Sequence, residues 1–420
     1  MITQAPRGTY DLYGVQAAKW RMIEEEIYRL MKEFCYSEIR TPIFEHTELF
    51  QRGVGDTTDI VQKEMYTFED KGKRSITLKP EGTAGAARAY LEHKMFADPQ
   101  PTKLFYITPC FRYEKPQAGR DRQFTQFGVE LYGSESPMAD AEVISLAYEL
   151  LRRMGITNVT LHINSLGCQE CRPKYNQKLK EYFASYKDCL CETCQGRLER
   201  NPLRILDCKS PQCHKIVEGA PSVLDSLDDD CKAHFAEVQR ILTALGIPYV
   251  VDPGIVRGLD YYTRTVFEFV CEEIGAQGTV CAGGRYDNLI AELGGDPTPA
   301  VGFAAGIGRM LMAMEASRGE LVPEKNMDLY VGSRGEEAAV QAAVLVYRLR
   351  QAGIRAEADL AGRSVKAQMK YANKIGARYT MILGEDELAE GQAALKNMET
   401  GESQKVAFAE IESWKGRILE

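Results

Sequence analysis

Two strand-like segments joined by a basic loop constrain the fold of this chain more than any other feature. The segments are LFYITPCFRYE (104–114) and QFTQFGVELYG (123–133), both rich in β-branched and aromatic residues. The loop between them, KPQAGRDR (115–122), is polar and contains Pro and Gly. This pattern is typical of an antiparallel hairpin. The sequence therefore predicts such a hairpin with an extended, basic tip.

Helical and strand-like patterns continue on both sides of this hairpin. Apolar residues recur at helical spacing over 14–34 and 139–154, and strand-like runs cover 158–165, 249–252 and 261–272. The segment between these strand-like runs is different. It is rich in cysteine and charged residues, mostly helical in period, and has no clear strand. We therefore predict an inserted helical module at about 168–240.

The last part of the chain follows another pattern. Beyond a polar stretch at 318–326, strand-like runs alternate with helical runs of about 10 to 15 residues. This alternation predicts a small doubly wound α/β domain. The predicted organisation is a first domain over 1–324, interrupted by the helical insertion at about 168–240, and a second domain over 327–420.

Composition bounds the class of protein. The chain has 420 residues, 44% of them hydrophobic and 27% charged, with a formal net charge of −8, as in globular proteins. It contains no run of about 18 apolar residues. Its first residues, MITQAPRGTY, lack the regions of a secretion signal. We expect a cytoplasmic chain with no membrane span, whose 12 cysteines are thiols or metal ligands rather than disulfides.

Four short motifs carry candidate binding residues, and each has a plainer structural interpretation. Arginines at the hairpin tip suit phosphate binding, but a solvated charged hairpin has the same composition. The tyrosine pair of VRGLDYY (256–262) suits either a pocket or core packing. The glycines of AGGRYD and GFAAGIGR leave room for a nucleotide, yet match neither familiar phosphate-binding glycine motif. In LKPEGTAGAARAY (78–90), Glu81 or Thr83 also suits the cap of a helix.

In their order and wording, these motifs resemble the class II aminoacyl-tRNA synthetases, and within them the histidyl-tRNA synthetase family. The resemblance rests on seven segments: PRGTYDLYG, TPIFEHTELFQRGVGDTTDIVQKEMYTF, LKPEGT, FRYEKPQAGRDRQFTQFGVE, VRGLDYY, AGGRYD and AVGFAAGIGR. It implies an α+β fold with a class II antiparallel-sheet catalytic core and a helical insertion. A small α/β anticodon-binding domain is implied to follow.

The resemblance also implies a reaction and the residues that perform it. ATP, with Mg²⁺, activates L-histidine to histidyl-adenylate, and the histidyl group then passes to the 3′ end of the histidine tRNA. The implied catalytic residues are Arg112 and Arg257. The implied ATP-binding residues are Arg112, Glu114, Phe124 and Arg309. The implied histidine-binding residues are Glu81, Thr83, Gln126, Glu130, Tyr261 and Tyr262. Two positions depart from the family pattern: Thr125, where His is common, and Gly308, where an acidic residue is common.

Partners follow from the same resemblance. Residues around 1–60 resemble the dimer-forming part of the class, so a homodimer is expected, and the position of the insertion suggests contact with the tRNA acceptor arm. Residues 348–378 hold eight basic and two acidic residues, with Lys366, Lys370 and Lys374 four apart on one helix face. Such a row suits either a phosphate-tracking surface or a solvated helix face.

An alternative function stays open at this stage. A paralogue of the family acts as a regulatory subunit of ATP phosphoribosyltransferase and charges no tRNA. That paralogue generally lacks the anticodon domain and has degraded ATP motifs, whereas Arg112, Arg257 and Arg309 are intact here. A non-catalytic RNA-binding module is disfavoured by the same residues.

The cysteines of the insertion allow two interpretations. Cys168 and Cys171 form one C-x-x-C pair, and Cys191 and Cys194 form a second about 20 residues later, which is a spacing of structural zinc sites. These four cysteines are the predicted zinc ligands, and Cys208-x4-Cys213-His214 follows close by. The alternative is a set of free, partly buried thiols. The resemblance itself does not support a metal.

Overall fold

The structure, a computed structural model, describes residues 3–55, 58, 60–208, 210–275, 278–321, 327–411, 414 and 418. The chain divides into two compact units, Met1–Leu321 and Val322–Glu420. Part of the family motif GVGDTTDIV, at positions 56, 57 and 59, lies outside the described residues, as does the segment 322–326 of the predicted domain boundary. Across the described ranges, no helix has the length and apolar character needed to cross a membrane.

The first unit combines helices with mostly short strands. Its helices are α1 (Gly14–Glu33), α2 (Thr47–Val54), α3 (Thr83–Glu92), α4 (Pro137–Arg153), α5 (Cys171–Ala184), α6 (Glu192–Arg200), α7 (Leu203–Leu206), α8 (Pro211–Val217), α9 (Asp229–Ala244), α10 (Leu289–Glu292) and α11 (Ile307–Arg318). Its strands are β1 (Ser37–Glu38), β2 (Phe44–His46), β3 (Tyr66–Glu69), β4 (Ser75–Leu78), β5 (Thr102–Phe111), β6 (Gln123–Tyr132), β7 (Thr160–Ser165), β8 (Val250–Val251), β9 (Thr263–Val270), β10 (Thr279–Arg285) and β11 (Ala300–Gly306).

An eight-stranded sheet organises this unit. Its strand order is β1-β5-β6-β11-β10-β9-β7-β8, and the described pairs are antiparallel except β1–β5 and β7–β8. The predicted hairpin is β5–β6, paired from Thr102↔Tyr132 to Phe111↔Gln123, so that prediction is confirmed. A separate three-stranded sheet has the order β2-β4-β3.

The alternation of side chains along a strand places core residues on one face of the sheet and residues of the predicted site on the other. Successive side chains of a strand point to opposite faces of the sheet. In β6, Phe127, Val129 and Leu131 are buried in the main hydrophobic core, together with residues of α1, α4, α9 and α11. The alternating positions, among them Gln126 and Glu130, therefore belong to the other face, where polar residues of the predicted site are expected.

Local sequence explains why α4 forms beside this sheet. The Ser136 hydroxyl accepts a hydrogen bond from the Met138 N–H at 3.2 Å, and Pro137 occupies the first turn, where its missing N–H costs nothing. Arg152 and Arg153 occupy the last turn, where a positive charge stabilises the helix dipole. Apart from Asp140, which forms an ion pair with Arg285, the buried residues of α4 are aliphatic, so burial of that face stabilises the helix.

The insertion is helical, as predicted. Helices α5 to α9 occupy the chain between β7 and β8, and the described residues of this stretch contain no strand. Leu179, Phe183, Leu198 and Ile205 are buried in a second core cluster that also contains Tyr262. The insertion therefore packs onto the part of the first unit that carries the tyrosine pair.

The second unit is an α/β domain, as predicted, with an extension that the sequence pattern did not predict. Its helices are α12 (Glu336–Gln351), α13 (Val365–Lys374) and α14 (Glu385–Glu390), and its strands are β12 (Leu329–Ser333), β13 (Ala356–Ala358), β14 (Tyr379–Leu383), β15 (Gln392–Asn397) and β16 (Ser403–Ala407). The sheet order is β13-β12-β14-β15-β16. The first three strands are parallel, whereas β15 and β16 add an antiparallel edge. These two strands are mostly polar and expose much of their length, so no apolar run announces them.

Candidate active site

A cavity of about 760 Å³ in the first unit gathers nearly all of the predicted site residues. Those that line it are Glu81, Thr83, Arg112, Glu114, Phe124, Gln126, Arg257, Tyr261, Tyr262 and Arg309. Glu130 is buried at 1% exposure and is not among the lining residues. The structure therefore brings motifs from four distant parts of the sequence to one place.

Two of the arginines in the cavity are fixed by backbone carbonyls. Arg112 donates from Nε to the carbonyl oxygen of Pro80 at 2.8 Å, and its guanidinium lies 5.3 Å from the ring centre of Phe124. Arg309 donates from Nε to the carbonyl of Gly119 at 2.9 Å and from Nη1 to that of Thr279 at 3.0 Å. A guanidinium has five N–H donors, so these bonds set its direction and leave donors for an anion.

The third arginine, Arg257, is held by charge. It forms an ion pair with Glu268, and its guanidinium lies 5.6 Å from the ring centre of Tyr262. Burial acts to lower the pKa of Arg257, but Glu268 and Tyr262 outweigh it and raise that pKa. Burial, assisted by the nearby positive charge of Arg120, lowers the pKa of Arg309. Arg309 and Arg120 thus concentrate positive charge locally, and a negatively charged ligand beside them would be stabilised.

Backbone N–H groups at the start of α3 donate hydrogen bonds to two of the predicted residues, Glu81 and Gln126. The Glu81 carboxylate accepts hydrogen bonds from the backbone N–H groups of Thr83 at 2.9 Å and Ala84 at 2.8 Å, so Glu81 caps the helix. Gln126 Oε1 accepts from the N–H of Gly82 at 2.8 Å. Burial raises the pKa of Glu81, and the backbone hydrogen bonds oppose that rise. The capping interpretation of Glu81 is confirmed, and the same residue also lines the cavity.

Glu130 lies under a group of tyrosines. It accepts hydrogen bonds from the hydroxyl of Tyr106 at 3.0 Å and from the hydroxyl of Tyr286. Burial raises the pKa of Glu130 to about 8, and the hydrogen bond from Tyr286 opposes the rise. The ring of Tyr261 lies 5.4 Å from that of Tyr286 and 4.7 Å from that of Tyr262. The result is a polar corner enclosed by aromatic rings.

Tyr106 and Tyr286 were not singled out from the sequence. Tyr286 belongs to the AGGRYD motif, so that motif was the available signal. The signal for Tyr106 lies in two glycines. A Cβ atom on Gly82 or on Gly128 would come within 2.3 Å of the Tyr106 ring. The ring therefore occupies a slot that the absence of both side chains creates.

The insertion also contacts this site, which sequence reasoning did not predict. Arg172 donates to the carbonyl oxygens of Asp260, at 3.1 Å, and Tyr262. Asn201 donates from Nδ2 to the Asp260 carboxylate at 3.1 Å, and Arg204 donates to the carbonyl of Gly258. Three side chains of the insertion thus hold the segment 258–262, which carries the tyrosine pair: Arg172 and Arg204 through backbone carbonyls, and Asn201 through the Asp260 carboxylate.

The cysteines of the insertion form two groups rather than one. Cys191, Cys194, Cys208 and Cys213 form the first, here named the four-cysteine cluster. Cys168, Cys171, Cys231 and Asp228 form the second, here named the aspartate cluster. The sequence prediction placed both C-x-x-C pairs in a single zinc site, and this grouping is corrected by the structure. Each pair closes with residues later in the chain, because helix packing decides which pairs meet.

In the second unit, the predicted row of lysines faces solvent. Lys366, Lys370 and Lys374 are exposed on α13, while Gln368 and Ala372 face inward. Within the described part of this unit, the three lysines have no ion-pair partner. Two other basic residues of the stretch 348–378 are paired: Arg355 with Asp328 at 2.6 Å, and Arg363 with Asp359 at 2.6 Å.

An antiparallel sheet with an arginine-lined cavity, followed along the chain by an α/β domain, agrees with the class II aminoacyl-tRNA synthetases that the motifs resemble. A family profile described as histidyl-tRNA synthetase matches residues 8–171 and 199–310, and one described as anticodon binding domain matches residues 328–415. The chain belongs to the histidyl-tRNA synthetase family. The match leaves out residues 172–198, which lie in the helical insertion.

Individual relatives agree with this assignment over almost the whole chain. The histidine–tRNA ligase of Acetivibrio thermocellus is 55% identical over 97% of this chain and 98% of its own length. That of Halothermothrix orenii is 53% identical over 98% of both chains. The crystal structure of apo histidyl-tRNA synthetase from S. aureus superposes with a TM-score of 0.84 at 41% identity, over 98% of this chain and 99% of its own.

Proposed function

We propose that this chain activates L-histidine with ATP and transfers the histidyl group to the 3′ end of the histidine tRNA. The observation that carries the proposal is the meeting of Arg112, Arg257 and Arg309 in one cavity. These residues come from three separate motifs, and they lie beside a polar corner built around Glu130. Relatives that match 97% or more of the chain carry the name histidine–tRNA ligase.

In the first step, a carboxylate oxygen of histidine attacks the α-phosphorus of ATP. The bond to the bridging oxygen of the β-phosphate breaks, and pyrophosphate leaves. Both reactants are anionic, so the step needs charge neutralisation and alignment more than a proton acceptor. We propose that Arg112 bridges the two reactants and that Arg257 meets the α-phosphate from the other side. Arg309 is proposed to hold the far end of ATP.

The Mg²⁺ ion that the reaction requires is proposed to enter the cavity together with ATP. Three carboxylates of the cavity are already engaged: Glu81 by backbone N–H groups, Glu114 by Arg120 at 3.1 Å, and Glu268 by Arg257. With these three carboxylates engaged, the arginines of the cavity suit the binding of an anion. We therefore propose that Mg²⁺ arrives as the complex with ATP, where it neutralises phosphate charge. Phe124 is proposed to stack on adenine and Glu114 to face its edge.

Recognition of histidine is proposed to use the polar corner. Glu81, Thr83 and Gln126 are proposed to bind the α-amino group, which agrees with their convergence on the loop before α3. Glu130 and Tyr262 are proposed to bracket the imidazole nitrogens, with Tyr261 lining the same pocket. Tyr286 lines the cavity and hydrogen-bonds to Glu130, so its hydroxyl supports this corner. A different amino acid would leave these buried polar groups unpaired.

In the second step, the terminal ribose hydroxyl of the tRNA attacks the carbonyl carbon of histidyl-adenylate and AMP leaves. The second unit is proposed to bind the anticodon region, with the exposed lysines of α13 against the phosphate backbone.

A homodimer is proposed as well. Exposed large apolar side chains gather near the start of the chain and support it; these are Tyr10, Leu12, Tyr13, Val15, Ile43 and Phe44. None of the twelve cysteines forms a disulfide, which supports the proposed cytoplasmic location.

The regulatory-subunit alternative is less supported. This chain has an α/β second unit matched by the anticodon-binding profile, and its three arginines line one cavity. Histidine-dependent exchange of pyrophosphate into ATP, followed by charging of the histidine tRNA, tests the proposed function. We expect both activities with histidine and neither with other amino acids. The absence of exchange from a folded, full-length chain would overturn the proposal.

A further inference from the structure

The four-cysteine cluster and the aspartate cluster have the composition and compactness of metal sites. In each cluster one candidate ligand atom from every residue lies within 4.8 Å of the others. We propose that each cluster binds one zinc ion, so that the insertion carries two structural zinc sites of the types Cys₄ and Cys₃Asp. Zinc is the metal assigned because closed four-ligand sites rich in thiolate favour it.

The sulfur positions agree with tetrahedral coordination. Zn–S bonds of about 2.3 Å at tetrahedral angles place two sulfurs about 3.8 Å apart. In the four-cysteine cluster, the Sγ atoms of Cys191 and Cys208 are 3.8 Å apart. In the aspartate cluster, those of Cys168 and Cys171 are 3.7 Å apart. A disulfide would need about 2.05 Å, so these contacts are the spacing of ligands around a shared centre.

Asp228 has one carboxylate oxygen for the helix and one for a metal. Its Oδ1 caps α9 by accepting a hydrogen bond from the Cys231 N–H at 2.7 Å. Its Oδ2 lies 3.0 Å from the Sγ atoms of both Cys168 and Cys171. The N–H of Asp228 also donates to the Cys171 sulfur at 3.1 Å. A backbone N–H directed at a ligand sulfur is the kind of outer-shell support that metal sites use.

The four-cysteine cluster ties together helices that are too short to be stable alone. Cys191 precedes α6, Cys194 lies within α6, Cys208 follows α7 and Cys213 lies within α8. These helices have 9, 4 and 7 residues, whereas isolated helices below about 12 residues are marginal in water. The N–H of Cys191 donates to the Cys213 sulfur at 3.3 Å. A bound metal therefore supplies cross-links that a small core does not.

Residues next to the ligands hold the wall of the cavity. Arg172 follows the ligand Cys171 and contacts Asp260 and Tyr262 through their carbonyls. Asn201 and Arg204 lie between the ligands Cys194 and Cys208 and contact residues 258 and 260. The proposed zinc ions thus position the insertion against residues 258–262. These ligands are positioning residues, since they act on the tyrosine pair through other groups.

The first test is metal analysis of the full chain, purified without chelator and freed of any affinity tag. We expect about two zinc ions per chain, one for each cluster. A zinc content near zero, with all twelve thiols titrating, would overturn the proposal. Stoichiometric iron with visible absorption would overturn the assignment of zinc.

Variants test the two sites separately. Cys194→Ser and Cys231→Ser are each expected to halve the zinc content, whereas Cys189→Ser is expected to retain it. Cys189 is the matched control because it lies in the insertion, is exposed, and belongs to neither cluster. Asp228→Asn keeps an oxygen for the helix cap and removes the carboxylate ligand, so it is also expected to lose one zinc. Equal zinc loss in Cys189→Ser and Cys194→Ser would contradict the assigned ligands.

A chelator experiment covers variants that fail to fold. Zinc is removed from the unmodified chain, and zinc alone is then titrated back while thermal unfolding is followed. A midpoint that falls on removal and returns after two equivalents supports the proposal; an unchanged midpoint contradicts it.

The positioning role has a kinetic test that rests on the proposed function. In folded Cys194→Ser, we expect the KM for histidine to rise about tenfold while the KM for ATP stays within about twofold. An equal rise in both would overturn the positioning role. Zinc content needs no activity, so a failure of the zinc sites and a failure of the proposed function are distinguishable.

Discussion

Basic side chains occur in two contrasting settings, the cavity of the first unit and the surface of α13 in the second. In the cavity, Arg112 and Arg309 are fixed by backbone carbonyls, and Arg257 by Glu268. On α13, Lys366 and Lys370 are exposed, and the described part of that unit gives them no ion-pair partner. The cavity arginines must point at one atom of a ligand, whereas the α13 lysines need only lie near a polyanion.

The two settings differ in what they require of the protein. A buried guanidinium needs partners to offset its desolvation, and those partners also set its direction. An exposed lysine keeps its hydration and a flexible stem, so it follows a phosphate backbone without fixed geometry. Loss of an aimed charge should affect chemistry, and loss of a free charge should affect tRNA affinity and its salt dependence.

The strongest test of the contrast is Arg257→Ala. We expect kcat/KM for histidine-dependent pyrophosphate exchange to fall by about 10²–10³, because the α-phosphate loses an aimed charge in the transition state. Arg152→Ala, which removes an exposed arginine that does not line the cavity, is the matched control. A folded Arg257→Ala variant that keeps exchange within about tenfold of the unmodified chain would contradict the role of Arg257.

The next effect concerns Glu130, whose pKa burial raises from 4.5 to about 8. The folded chain therefore holds a proton that the unfolded chain releases near pH 4.5. The contribution of Glu130 to stability is full below pH 4.5 and is lost as the pH rises to about 8. Relative to Glu130→Gln, the unmodified chain should lose roughly 2 kcal/mol of unfolding free energy between about pH 6 and 7.5.

Chemical denaturation of both proteins across that pH range measures this difference. Lys366→Gln, at an exposed position of the second unit, is the control, and its curve should run parallel to that of the unmodified chain. Parallel curves for Glu130→Gln and the unmodified chain would show that Glu130 is ionised in the folded state.

Charge reversal on α13 should have a smaller effect that is confined to tRNA. For Lys366→Glu combined with Lys370→Glu, we expect tRNA affinity to fall about tenfold. The slope of log K against log salt should become shallower by about 1 for each lysine. Pyrophosphate exchange without tRNA should be unchanged. Lys405→Glu is the matched control, since Lys405 lies in the same unit and is paired with Glu390. If exchange falls as much as charging, the lysine row is structural.

The smallest expected effect separates paired from unpaired charges within the second unit. Arg363 forms an ion pair with Asp359 and lies 4.2 Å from the ring centre of Tyr371. Arg363→Ala should change the free energy of unfolding little, because solvent screens the ion pair, and should leave tRNA affinity within about twofold. Fluorescence titration with tRNA beside Lys366→Ala makes the comparison. An equal loss of tRNA affinity in Arg363→Ala and Lys366→Ala would show that an ion-pair partner does not keep a basic residue from binding tRNA.

Local patterns predicted the elements better than the contacts between them. The alternation of β6 was visible in the sequence, and so was the helical period of the insertion. The hydrogen bond from Tyr286 to Glu130 was not, because the strand order places β11 between β6 and β10. No pattern local to either strand contains that order.

The cysteines show the same limit at longer range. Each C-x-x-C pair was predicted from four residues, but Asp228 meets Cys168 across 60 residues. The N-terminal ends of α5 and α9 meet there, through hydrogen bonds between Asp228 and Cys171, and no local signal encodes this meeting. The hydrogen bonds from Arg172 and Arg204 to the backbone of residues 258–262 likewise depend on how the insertion packs onto the first unit. The site residues themselves came from the resemblance, and their roles stay predictions.

The slot of Tyr106 restricts how this corner can diverge among relatives. Gly82 and Gly128 lie in different motifs. A side chain at either position would overlap the Tyr106 ring, so the ring fits only while both positions are glycine. A larger residue at either glycine requires a smaller one at 106, and that change removes a hydroxyl from Glu130. We expect positions 82, 106 and 128 to change together among relatives, because a substitution at any one of them alone would disrupt the pocket.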